Sequence, residues 1–192
     1  MSRPEFDVQG TFRSVVEALQ ECGLPYAFIG ALPVLAWGRV RATTDIDLVV
    51  AVESDWARLE RAFRKRGLQP SKNVGPADPS DPLPDIAVLR AQHAAGTRVD
   101  VFIAKTDFER AVIDGARTAT VLDISVRLAR PEASIVYKLL AARPRDVDDV
   151  ESIFEARAAA RDVLDWTFLE RWTEAWGIAD RLEPYRRRFK GS

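Results

Sequence analysis

Two carboxylates stand two residues apart in Asp45-Ile46-Asp47, at the start of an aliphatic run that continues to Val50. Side chains at positions i and i+2 of a strand point to the same side, so Asp45 and Asp47 are expected to project together. Like charges held this close repel each other, and burying them without a partner is costly. A divalent cation would remove both penalties. The pair therefore predicts metal-assisted chemistry.

A third carboxylate, Asp100, lies inside the apolar strand pattern Arg98-Val99-Asp100-Val101-Phe102-Ile103. A charged residue in such a strand needs a partner. If this strand lies beside the strand of Asp45 and Asp47, the three carboxylates converge at one end of a sheet. Oxygen ligands of this kind suit Mg²⁺, which keeps several waters and takes substrate phosphates as ligands. We therefore expect a two-metal site, in which one ion activates the attacking oxygen and the other holds a triphosphate.

A glycine turn supplies a second element of the predicted site. Gly30 ends the apolar strand pattern 26–29 and precedes an apolar helix pattern from Ala31 to Trp37. A glycine at this point lets a phosphate approach the backbone, and the N–H groups of the following helix face the anion. The helix returns the chain to the sheet at Asp45.

Composition limits the other possibilities. The chain has 192 residues, 47% of them hydrophobic and 30% charged, which is typical of one globular domain with room for a small appendage. Its net charge of −1 implies no global attraction to nucleic acid or to a membrane surface. The single cysteine, Cys22, and the single histidine, His93, exclude disulfides and multi-histidine metal sites within the chain. Since no apolar run approaches the ~20 residues of a membrane span and no signal peptide is evident, we expect a cytoplasmic protein with no membrane partner.

Hydrophobic periodicity predicts an α/β (α+β) fold: a mixed β-sheet flanked by helices, followed by a helical C-terminal part. We expect an α/β core over residues 1–128 and a helical subdomain over residues 129–192. The prolines between 70 and 84 predict a long loop. The predicted helices cover residues 11–22, 31–37, 53–66 and 108–113, and several more after Pro131; the predicted strands cover residues 26–29, 45–51, 85–90, 98–104 and one or two stretches of 118–128.

On these motifs the chain resembles the DNA polymerase β-like nucleotidyltransferase superfamily, whose pattern is an apolar strand, Gly-Gly or Gly-Ser, a short helix, Asp-x-Asp and a later third carboxylate. A closer resemblance is to the AbiEii-like branch, which includes toxins of type IV toxin–antitoxin pairs. That branch commonly shows Arg-x-Thr-x-Asp-x-Asp, matched by residues 41–47, and a helix with lysine followed by Arg-Asp-x-x-Asp, matched by residues 138–149. Ala31 stands where the superfamily has Gly or Ser, so a serine hydroxyl is absent there while the backbone N–H remains.

The resemblance implies a Mg²⁺-dependent nucleotidyltransferase that moves a nucleoside monophosphate from an NTP to a hydroxyl or phosphate acceptor, such as a tRNA end or a protein side chain. A cognate antitoxin would then be a partner. Asp45, Asp47 and Asp100 would be the catalytic and metal-binding residues, with Asp100 also helping to deprotonate the acceptor. Nucleotide contacts are expected from five residues: Gly30, Ala31, Arg41, Thr43 and Lys138.

Alternatives stay open at this stage. The chain could be a catalytically weak nucleotide- or partner-binding module, or an antibiotic-type enzyme with a small-molecule acceptor. Arg41 could pair with a surface carboxylate, Thr43 could only shape a turn, and Lys138 could be a surface lysine that packs along its stem. Asp146 is expected to cap a helix, and Asp149 to pair with Arg145.

Overall fold

A computed structural model describes residues 7–51, 56–73, 88–93 and 96–190. Within these ranges the chain forms a seven-stranded mixed sheet with helices on both faces, which confirms the predicted fold class. The helices are α1 (Val8–Cys22), α2 (Ala31–Trp37), α3 (Trp56–Lys65), α4 (Asp107–Asp114), α5 (Pro131–Ala141), α6 (Pro144–Ala159), α7 (Trp166–Ala175) and α8 (Ala179–Phe189). The strands are β1 (Tyr26–Ile29), β2 (Asp45–Val50), β3 (Leu68–Asn73), β4 (Val88–His93), β5 (Arg98–Ile103), β6 (Arg117–Val121) and β7 (Ile124–Leu128).

The strand order is β3-β4-β5-β2-β1-β7-β6. Strand β2 lies at the centre, antiparallel to β1 and parallel to β5. The pairs β3–β4, β4–β5 and β6–β7 are antiparallel, whereas β1 and β7 are parallel. The strands that carry the predicted carboxylates are therefore direct neighbours, as the sequence argument required.

Strand alternation divides the buried residues into two clusters, one on each face of the sheet. Phe28 and Leu48 point to the face covered by α1 and α3. Ala27 and Val49 point to the opposite face, where α4 to α8 pack. Asp45 and Asp47 have the same parity as Val49. The Asp-x-Asp pair therefore faces the side of the sheet that carries the C-terminal helices.

The C-terminal helices pack on the sheet through aromatic residues. Phe108 of α4 lies against Trp172 of α7, with ring centroids 5.1 Å apart. Phe154 of α6 stacks on Tyr185 and Phe189 of α8. This second cluster contains residues from both sides of position 128, and the division at 128 stays a prediction. No helix in the described ranges is long and apolar enough to cross a membrane.

Strand β3 corrects the predicted loop over residues 70–84. Residues 70–73 belong to β3, where Pro70 pairs with Ala91. Proline has no N–H to donate and is confined to edge strands within sheets, and β3 is an edge strand. Residues 74–84 lie outside the described ranges, as do residues 53–55 and 85–87 at the starts of two predicted elements.

Candidate active site

Four side chains form a square across the two central strands. Asp45 and Asp47 on β2 lie directly opposite Arg98 and Asp100 on β5 in the parallel register. Alternation places all four on one side of the sheet, because each pair is two residues apart. Asp100 is buried, and Asp47 is partly buried. Three carboxylates and one guanidinium thus share a patch at the start of β2.

Asp47 is the electrostatically strained member of this square. Burial, followed by the charges of Asp100 and Asp45, raises the pKa of Asp47 from 3.8 to about 6, although Arg98 and Lys138 act in the opposite direction. Among the described residues, its carboxylate receives no hydrogen bond and forms no ion pair. A partly buried carboxylate in this state would gain from an added cation.

Gly30 lies against Asp47. Its backbone has φ +68° and ψ −124°, a conformation that favours glycine. A Cβ built on Gly30 would lie 2.1 Å from Oδ2 of Asp47, so any side chain there would force Asp47 to shift. The glycine of the predicted turn therefore leaves space for the carboxylate. Ala31 follows as the first residue of α2 and is buried.

Arginines hold the other two carboxylates. Arg98 Nη2 donates to Oδ2 of Asp45 at 2.9 Å, and Arg98 Nε lies 3.2 Å from Oδ2 of Asp100. Arg90 on β4 faces Asp100 in the antiparallel register, and its Nε donates to Oδ1 at 2.9 Å. Arg98 therefore bridges two of the three predicted metal ligands.

The donor set fits a divalent cation by its chemistry. Three carboxylates supply hard oxygen atoms, and one of them lacks a polar partner within the described chain. The arrangement is not that of a closed metal centre, because no three acidic, histidine or cysteine side chains of the described residues come together in a group that could hold an ion. Two of the carboxylates are turned onto arginines instead.

A cluster of buried charges joins α5 to α6. Lys138 on α5 is 5% exposed and donates to Oδ1 of Asp146 at 2.8 Å. Its Nζ is also 3.1 Å from Oδ2 of Asp149. Lys138 is thus not a surface lysine, and that alternative was wrong. Its ammonium has three donors, and its charge reaches Asp47.

Asp149 links α6 to the segment between α2 and β2. It is fully buried, and its Oδ1 lies 3.2 Å from Arg39 Nη2 and 3.2 Å from Arg41 Nε. The predicted pair of Asp149 with Arg145 was therefore wrong, since three cations from other elements surround this carboxylate. Arg41 pairs with a carboxylate, but with a buried one rather than a surface one.

Asp146 contributes to the N-terminal cap of α6, but as the third helical residue, because Arg143 is the N-cap residue. Its Oδ2 accepts hydrogen bonds from the backbone N and from Nε of Arg143. Burial alone would raise the pKa of Asp146, but the hydrogen bonds from Lys138 and Arg143 outweigh it and hold the pKa below its usual range. Thr43 acts locally, because its hydroxyl donates to the carbonyl of Asp45 at 2.9 Å and accepts from the Asp45 N–H.

The residues that the sequence did not reveal are the two arginines that hold the carboxylates of the square. Neither Arg98 nor Arg90 was assigned a role. The signal for Arg98 was present, because it lies two residues before Asp100 in the same strand and must share its face. Arg90 required knowledge that β4 pairs with β5.

The fold agrees with those of known nucleotidyltransferases. The antibiotic-resistance factor ANT(2″)-Ia, whose solution structure is known, aligns with a TM-score of 0.59 and 20% identity over 95% of this chain and 99% of that one. A crystal structure of ANT(2″)-Ia in complex with adenylyl-2″-tobramycin aligns with a TM-score of 0.58 and 20% identity, over 88% of this chain and 96% of that one.

A third similar structure is an antigenic nucleotidyltransferase-like protein from Paracoccidioides brasiliensis, with a TM-score of 0.51 and 19% identity over 78% of this chain and 77% of that one. At these identities the likeness concerns the fold. No curated protein matches the chain significantly.

A family model described as a nucleotidyl transferase of unknown function matches residues 9–180. The match includes the whole square and the buried charge cluster. The superfamily expected from the sequence is thereby confirmed, while the AbiEii-like branch within it stays a prediction. The chain belongs to this family of nucleotidyl transferases.

Proposed function

We propose that this enzyme transfers a nucleoside monophosphate from an NTP to an acceptor hydroxyl and releases pyrophosphate, with Mg²⁺ bound at Asp45, Asp47 and Asp100. The observation that carries the proposal is the register of β2 and β5, which sets Asp47 directly opposite Asp100. The raised pKa of Asp47 supports it, because burial and then the charges of Asp100 and Asp45 disfavour the ionised form of that carboxylate, which a bound cation would favour.

The carboxylates have separate roles in this proposal. Asp45 and Asp47 would hold the cation together with the triphosphate, and Asp100 would complete the metal site. A bound Mg²⁺ would neutralise negative charge on the phosphates and would favour the ionised form of the attacking hydroxyl. The acceptor oxygen forms a bond to the α-phosphorus as the bond from that phosphorus to the bridging oxygen breaks. Asp100 takes the hydroxyl proton, and pyrophosphate leaves.

Phosphate contacts come from the elements around the square. The backbone of Gly30 and Ala31 receives the triphosphate beside Asp47, and Arg41 adds a guanidinium from the segment leading into β2. Lys138 contributes through its remaining donors and its positive field. Thr43 shapes the turn into β2 through its two hydrogen bonds with the backbone of Asp45, and so fixes where β2 begins.

A small molecule is the acceptor class that the fold comparison favours. ANT(2″)-Ia, which has a crystal structure in complex with adenylyl-2″-tobramycin, aligns over nearly its full length. The net charge of −1 offers no general attraction to RNA. A tRNA end or a protein side chain as acceptor, a toxin role and a cognate antitoxin are the alternatives that rest on the sequence resemblance.

The test is label transfer from each α-³²P-labelled NTP in the presence of Mg²⁺. Acceptor pools of aminoglycosides and other polyhydroxyl compounds, total RNA and lysate protein are offered separately, and pyrophosphate release is measured. We expect transfer with the native chain and none with Asp47→Ala. Asp107→Ala, which changes a carboxylate that is 83% exposed on α4, is the control and should keep full activity.

The outcomes separate the alternatives. Label on a small molecule identifies the acceptor class proposed here, whereas label on RNA or protein supports the toxin-like alternative. Mg²⁺-dependent NTP binding without transfer to any pool indicates the catalytically weak binding module. Transfer by Asp47→Ala at the native rate contradicts the mechanism.

A further inference from the structure

Arg98 lies between two of the three carboxylates of the square, Asp45 and Asp100. It lies directly opposite Asp45 in the register and two residues before Asp100 in its own strand. Its guanidinium contacts both, at 2.9 Å and 3.2 Å. Among the described residues, it is the one cation that touches two of the three predicted metal ligands.

The contact of Arg98 with Asp45 and Asp100 balances the negative charge that the register of β2 and β5 brings together. Three carboxylates lie on adjacent positions of β2 and β5, and like charges this close repel one another. The planar guanidinium has several donors in a fixed fork and can serve two carboxylates at once. The Arg98 side chain is 48% exposed, so it has room to move outward.

We propose that Arg98 is an internal counter-ion that a divalent cation displaces from Asp45 and Asp100. The metal then binds by exchange: it replaces the guanidinium and balances the negative charge of the carboxylates, which Arg98 balances in the metal-free protein. This inference rests on the proposed function, since it needs a cation to bind the carboxylates.

Arg90 provides the matched comparison. It carries the same charge and contacts Asp100 at 2.9 Å, but no contact joins it to Asp45. Arg90→Gln therefore removes one positive charge beside the site without opening the gap between Asp45 and Asp100. Arg98→Lys makes the complementary change, since it keeps the charge and loses the planar fork.

The experiment measures cation binding without nucleotide. Mn²⁺ is titrated calorimetrically into the native chain, Arg98→Gln, Arg98→Lys and Arg90→Gln at one ionic strength, and thermal melting is recorded in EDTA and in saturating Mg²⁺. We expect Arg98→Gln to bind Mn²⁺ about tenfold more tightly than the native chain. Arg98→Lys should lie between the two, and Arg90→Gln should change the Kd by less than about threefold.

Melting gives a second readout. Arg98→Gln should melt below the native chain in EDTA, because its carboxylates lack their counter-ion, and Mg²⁺ should raise its Tm by more than it raises the native Tm. Equal affinities of the native chain and Arg98→Gln would overturn the inference. An equal gain in Arg98→Gln and Arg90→Gln would also overturn it, because a general loss of charge would then suffice.

Failure of the underlying site has a different signature. If neither the native chain nor Arg98→Gln binds Mn²⁺, the carboxylates are not a cation site, and both the inference and the metal dependence of the proposed function fall. If both bind with the same Kd, only the exchange is wrong.

Discussion

Gly30 and Asp47 are in contact across β1 and β2: a methyl group on Gly30 would lie 2.1 Å from Oδ2 of Asp47. The glycine is required twice, once by its φ of +68° and once by this approach. The two requirements can be separated experimentally, because Gly23 has a similar φ of +62° with nothing within 4 Å of an added Cβ.

Gly30→Ala should lower the free energy of unfolding by about 2–4 kcal/mol, the sum of backbone strain and overpacking. Gly23→Ala should cost only the strain, about 1 kcal/mol. Urea unfolding of both variants measures the difference. Equal costs for the two variants would show that the contact with Asp47 contributes nothing. Gly30→Ala should also reduce nucleotidyl transfer, since Asp47 must move.

Asp47→Asn should stabilise the metal-free protein at neutral pH. The pKa of Asp47 is about 6 in the folded protein against an ordinary 3.8, so between these values the folded state binds a proton that the unfolded chain does not. The free energy of unfolding of the native chain therefore falls as pH rises from about 4 to about 6. Asp47→Asn avoids this loss and should gain up to about 3 kcal/mol at pH 7.5.

Urea titrations of both chains in EDTA at several pH values test this sign. The advantage of Asp47→Asn should vanish near pH 4, where the native carboxylate of Asp47 is protonated. A variant less stable than the native chain at pH 7.5 contradicts the electrostatic account.

Asp149→Asn should destabilise the protein strongly. Asp149 is fully buried and balances Lys138, Arg39 and Arg41, and breaking a buried ion pair costs about 3–5 kcal/mol. Its neighbour Asp148 is a matched control, because its side chain is 64% exposed and meets Arg39 at 3.5 Å. Asp148→Asn should change the free energy of unfolding by less than about 1 kcal/mol.

A double-mutant cycle on Lys138 and Asp149 should reveal coupling. Each single change, Lys138→Met or Asp149→Asn, leaves an unbalanced buried charge. The double variant removes both charges together, so its destabilisation should fall short of the sum by about 1–3 kcal/mol. Additive free energies from urea unfolding would show that the two residues act independently.

Local signals predicted the core of this fold well. The bounds of β1 and α2 agree with the predicted ranges 26–29 and 31–37, because Gly30 and Gly38 mark their ends. Strand β3 was not predicted, because Pro70 indicates a loop in the sequence and a proline on an edge strand gives the same local signal.

The site was harder to predict where it depends on distant contacts. The carboxylates stood out because each interrupts an apolar strand, a property visible within six residues. The partners of Asp149 could not be identified in this way. Arg39 lies 110 residues away in the sequence, and helical spacing indicates Arg145 as a nearer candidate. Local pairing rules give only neighbours on one helix.

The separation of Arg39 and Asp149 in the sequence also determines when their contact can form during synthesis. A ribosome makes the chain from its N-terminus, so Arg39 and Arg41 emerge long before the carboxylate that holds them. Until Asp149 has followed, 110 residues after Arg39, the segment leading into β2 has no buried anchor. A nascent or prematurely terminated chain would carry the Asp-x-Asp pair but lack the anchor of the segment that presents it, so nucleotidyl transfer is expected only once α6 has been made.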